Sequence, residues 1–253
     1  MKTKDALFEF LLRLADDRLV LGHRTSEWCG HGPILEEDIA LANLALDHIG
    51  QANNLLEYAA EVENEGRDAD DLAYFRNTRE FRNIKMVELP IGDFGFTIVR
   101  ELLFSAFNLH YLDRLKQTSD KQLAGLASKA YSETQYHLRH SKQWTLRLGD
   151  GTDESHRRIQ SSLNELWPYT GELFDEDEIE EHLVFELNIP NKEPVRSGWN
   201  QTINEVLEEA GLERPADDQY MQSGGRTGFH TEHLGSMLAE MQQLPRAYPD
   251  AEW

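Results

Sequence analysis

The chain has 253 residues, 40% of them apolar, enough for a sizeable core and for one large or two small domains. Its 46 acidic residues outnumber the 25 basic ones, and the net charge of −21 repels phosphate backbones and anionic lipid, which argues against nucleic-acid or membrane partners. No run approaches the roughly 18 apolar residues of a membrane span. The N-terminus lacks the layout of a signal peptide, and the single cysteine, Cys29, excludes an internal disulfide. A reducing cytoplasm is the expected home.

In chain order, the first helix is predicted from near Thr3 to about Trp28. It carries an unbroken three-four stripe of Leu7, Leu11, Leu14, Arg18, Leu21, Thr25 and Trp28. Gly30, Gly32 and Pro33 end it. The second long helix is expected from about Ile34 to Asn64, with Leu35, Ile39, Ala42, Leu46, Ile49, Asn53, Leu56 and Ala60 as its main stripe. A more polar stripe of Ala40, Asn43, Asp47, Gly50 and Asn54 adjoins it. A short helix and a connection fill 71–90. Asp93 is the predicted N-cap of a third long helix from Phe94 to about Lys116, with Glu101, Ser105 and Asn108 beside its apolar seam.

Asp120 is the predicted cap of the fourth long helix, which contains Leu126 to Leu148 and stops at Gly149. A fifth helix from Thr152 or Asp153 is broken near Pro168. The acidic run from Asp175 to Glu181 reads as a solvated helix start. Residues 189–198 read as a loop with two prolines, Gln201–Ala210 as a helix, and 212–229 as a loop. A last helix spans about His230 to Leu244, before a tail. No strand-period alternation or repeat is present. The expectation is an all-α chain, a ferritin-like long four-helix bundle with additional shorter C-terminal helices, forming one domain over 1–253.

Chemistry concentrates on the fourth long helix. Its predicted inward face runs Leu126, Ala130, Glu133, His137, His140, Trp144 and Leu148. A carboxylate and an imidazole in a buried seam are costly unless partnered. Di-iron bundles put a Glu on each of two helices and Glu-x-x-His on each of the other two. The candidates here are Asp17, Asp47, Glu101, Glu133 and His137. Both Glu-x-x-His elements are broken, however: Gly50 stands three after Asp47, and Tyr136 three after Glu133. His48 is read as pointing about a quarter turn away. The preferred reading is therefore a vestigial site that has become a buried polar network, with Arg18 paired to Asp47 or Glu133. His230, Glu232 and His233 read as capping or interface groups rather than ligands. His23 and His31 read as local hydrogen-bonding groups. The Gly-rich SGGRTG lacks the lysine-serine pair of a phosphate loop.

Five segments carry a family resemblance: EWCGHGPILEEDIALANLALDHIGQA (27–52), LAYFRNTREFRN (72–83), YHLRHSKQWTLRLGDGTDES (136–155), ELWPYTGELFD (165–175) and RTGFHTEHLGSMLAEMQ (226–242). With them the chain resembles the C subunits of phenylacetyl-CoA epoxidase, the ring 1,2-phenylacetyl-CoA monooxygenase. The resemblance covers nearly the whole chain, most loosely over 178–222. It implies a ferritin-like fold and a paralogous A subunit that carries the di-iron centre and binds the CoA thioester. It implies a small B subunit and a flavin/iron–sulfur reductase in the larger assembly. This chain would then hold no cofactor and would support the A subunit during aromatic-ring epoxidation in aerobic phenylacetate breakdown. By analogy with paired ferritin-like subunits, the interface is expected on the first two long helices, with Leu14 and Leu21 as test positions. The alternatives are an enzyme with its own di-metal site, using His48 and His137 in shifted registers, and a stand-alone helical binding or storage protein.

Overall fold

The computed structural model describes residues 2–249 and 251. The four long helices are α1 (Thr3–Ser26), α2 (Leu35–Glu63), α5 (Phe94–Leu115) and α6 (Lys121–Gly149). Between the second and third lie the short α3 (Ala69–Tyr74) and α4 (Lys85–Glu88). After the fourth come α7 (Asp153–Leu166), α8 (Glu178–Leu187), α9 (Lys192–Glu209), α10 (Glu232–Met241) and α11 (Gln243–Ala247). No strand occurs among the described residues. The architecture is all-α and ferritin-like. Of the predicted tail, Asp250, Glu252 and Trp253 lie outside the described residues.

The predicted caps organise the long helices. Asp93 Oδ1 accepts from the Phe96 amide and Asp120 Oδ1 from the Leu123 amide, each at 2.9 Å. Such a bond satisfies one of the amides that a helix start leaves without an internal partner. In the bundle α1 packs on α2, α5 on α6, and α2 on α6. A Cβ on Gly22 would lie 2.8 Å from the Ile49 side chain and 3.2 Å from the Ala45 carbonyl oxygen, so glycine is what lets α1 and α2 run this close.

Helix α1 is buried almost all round. Its stripe faces the bundle as predicted, so Leu14 (7% exposed) and Leu21 (0%) are core residues and do not face a partner. An aspartate at either position would break the fold and say nothing about an interface. The opposite face of α1 is charged, and each charge clips a covering segment in place. Asp16 takes both terminal nitrogens of Arg76 and the Arg82 amide. Arg13 forks onto Asp177, the N-cap of α8. Asp17 accepts from the Ile84 amide at 2.8 Å and from both terminal nitrogens of Arg226 at 2.8 and 2.9 Å.

Two element readings change. The main stripe expected on α2 divides: Leu35, Ile39 and Leu46 are exposed, Leu56 and Ala60 are buried, and the core also takes Leu41, Leu44, Ala45, His48, Ala52 and Leu55. The supposed loop at 192–198 is the start of α9. Pro194 sits in its first turn, where no intrahelical donor is lost. The break at Pro168 holds: α7 ends at Leu166 and a 3₁₀ turn follows. The acidic run is only partly solvated, because Glu180 is buried against Lys192, 2.8 Å away.

Candidate functional site

The bundle interior, where a di-iron protein collects its ligands, is built around a guanidinium. Arg18 comes from the inward stripe of α1. Its Nε donates to Gln51 Oε1 at 2.8 Å and its Nη2 to Asn108 Oδ1 at 2.8 Å, while Nη1 donates to the Leu14 carbonyl at 2.9 Å. Gln51 in turn donates to Glu133 Oε2 at 2.8 Å. The amide thus presents its oxygen to a cation and its NH₂ to an anion, which neither Glu nor Lys could do at this position. Burial lowers the Arg18 pKa to about 10, with the carboxylates of Asp17 and Glu133 opposing, so the side chain stays cationic near neutrality.

One turn along, Glu101 from α5 is fully buried. It accepts from the Thr25 hydroxyl at 3.0 Å and from His48 Nε2 at 3.3 Å. Burial works against its charge. The imidazoles of His48 and His137 and the guanidinium of Arg100 outweigh that and hold the carboxyl at about 2. His48 itself is pushed below its ordinary value, first by burial, with Glu101 opposing. Its ring lies 4.8 Å from that of His137, whose Nε2 donates to Asp47 at 3.0 Å. Towards the start of α2, His140 donates to Glu37 at 2.8 Å.

The predicted positions therefore separate. Glu101, Glu133, His137 and Asp47 do line the interior or its edge. Asp17 does not: it sits off the inward stripe and binds Arg226 in the covering layer. Arg18 reaches Glu133 only through Gln51. His48, read as turned away, points inward because α2 presents a different face to the core. Gln51 and Glu37 join the interior without having been singled out by spacing, beside Thr25 and His140, which the helical stripes had placed inward. The separation of His48 and Gln51, one turn apart on the true seam, was the available signal. His230 is locked between Glu88 at 2.8 Å and the Phe81 carbonyl at 3.0 Å, and Thr231 caps α10, so the HTEH element anchors the last helix.

This donor set does not fit a di-iron centre. Each carboxylate is already spent on a hydroxyl, an amide or an imidazole N–H. The other inward polar groups, Ser105, Asn108 and Thr134, are weak ligands. A fixed cation stands among them. Among the described residues, no three His, Cys, Asp or Glu side chains converge on one point.

The same geometry sets a pH dependence. Unfolded, His48 takes a proton near 6.5; folded, burial holds its affinity lower, so acidification below 6.5 favours the unfolded chain. The contribution of Glu101 is complete above 4.5 and is lost as the pH falls toward about 2. The melting temperature should therefore decline from about pH 6.5 downward, and His48→Gln should flatten the upper part of that decline; melts across a pH series check both.

Comparison with known proteins agrees with this frame. The family model for "Phenylacetic acid catabolic protein" matches residues 1–253. The chain is 46% identical over 247 residues to the C subunit of the 1,2-phenylacetyl-CoA epoxidase of Escherichia coli (strain K12), covering 98% of this chain and 99% of that protein. No helix among the described residues is long and apolar enough to cross a membrane. With the match running the full length, the chain belongs to the phenylacetic acid catabolic protein family.

Proposed function

We propose that this chain is a non-catalytic, structural component of a multicomponent assembly that epoxidises the ring of phenylacetyl-CoA. It packs against a paralogous A subunit that holds the di-iron centre and the thioester. A B subunit and a flavin/iron–sulfur reductase complete the system, in the cytoplasm. The observation that carries this reading is the interior: a buried guanidinium, Arg18, is held there by Gln51 and Asn108 and relayed to Glu133. Full-length similarity to a protein named as a subunit of that epoxidase supports the setting. A bundle with this interior serves an oxygenase by rigidity, presenting a pre-formed surface that holds the partner's helices, and so its ligands, in geometry.

The test is to purify the chain alone and with the A subunit from iron-supplied cells. Iron should be found with the A subunit and not with this chain, and turnover of phenylacetyl-CoA should need both. About two irons per chain in this protein alone, with ligand-to-metal absorption, would overturn the proposal.

A further inference from the structure

Helix α2 is apolar on two faces, and the fold uses only one. Leu35, Ile39, Ala42 and Leu46 step by four, three and four along the other. Leu35 is 72% exposed, Ile39 54% and Leu46 66%, with Ile34 beside them at 50%. Exposed side chains repeating at this interval form the seam of a helix pair, since each fits between side chains of a facing helix. The other large exposed apolar residues, such as Phe75, Phe185 and Tyr220, lie on separate elements, which is the usual scatter of a soluble surface.

Charge selects the occupant. On its solvent side α2 carries Glu36, Asp38, Glu57 and Glu61, and it contains no lysine or arginine; Glu37 and Asp47 are turned to His140 and His137. A second copy docked across a two-fold axis would set this acidic helix against itself, and like charges facing each other at a contact are costly. A helix with an apolar stripe flanked by Lys or Arg would instead match both the seam and its rim. We propose that the outer face of α2, centred on Ile39 and Leu46, is the docking surface for such a basic-flanked amphipathic helix. Resting on the function proposed above, that helix belongs to the A subunit.

The experiment is pull-down and titration with purified A subunit. Ile39→Glu/Leu46→Glu should melt like the wild type, because both side chains already face solvent, and should bind at least about 100-fold more weakly. Leu35→Glu gives the same loss by a second route. Phe185→Glu, 86% exposed on α8, should bind normally. Wild-type binding should also weaken as salt rises. A folded double variant that binds like the wild type overturns the surface. A wild-type homodimer that the double variant dissolves overturns the heterologous occupant. A wild-type chain that does not bind the A subunit overturns the proposed function, and this occupant with it.

Discussion

Replacing Arg18 with alanine is expected to destabilise the chain by about 3–5 kcal/mol, among the largest costs available to one substitution here. The change removes one of the largest fully buried side chains, leaving a cavity between the four long helices. It also strips the donors from Gln51 Oε1 and Asn108 Oδ1. Glu133 then keeps its bond to Gln51 while losing the cation that Gln51 relays. Arg18→Lys keeps the charge but loses the fork, and should cost less, about 1–3 kcal/mol. Urea denaturation of the three proteins checks the order. A wild-type-like midpoint for Arg18→Ala would mean that the interior can close without its cation.

The second large effect lies on the other side of α1. Arg226→Ala should cost about 3–5 kcal/mol, because the Asp17 side chain is 5% exposed and would be left charged with only the Ile84 amide as donor. Arg226 also donates to the Arg13 and Arg82 carbonyls, tying three segments together. Glu172 reinforces the tie, accepting from the Lys85 and Gly225 amides at 2.7 Å each. The variant should therefore be cut faster by protease between residues 211 and 231 than elsewhere. Asp17→Ala/Arg226→Ala should cost clearly less than the two single changes summed, since the second change removes a charge that the first had stranded. Additive costs would show the pair to be uncoupled.

Much of the architecture is legible in the sequence. The stripe on α1 admits one facing because its back is charged, and Asp93, Asp120 and the Gly149 stop mark helix ends through local chemistry. The facing of α2 is not legible there. A helix with apolar residues on two sides satisfies a periodicity search either way, and only the surrounding helices decide that Leu41, Leu44 and His48 go inward. The outward placement of Asp17 is equally hidden, because its partner Arg226 lies 209 residues further along. Within the interior, the broken registers at Gly50 and Tyr136 are visible as missing ligands. What replaces them is not, since the Arg18–Gln51–Glu133 relay depends on three helices meeting at one height.

The enclosure of α1 bears on how the molecule is made. This helix leaves the ribosome before the segments that cover it, with Asp16, Asp17 and Arg13 exposed on a side that later becomes interior. Asp16 finds Arg76 after 60 residues, Arg13 finds Asp177 after 164, and Asp17 must await Arg226 after 209. The inward side of α1 can be covered once α2, α5 and α6 have emerged, but its charged side waits for segments much further along. Closure around α1 therefore depends on contacts of long sequence separation, and the growing polypeptide is a natural client for chaperones.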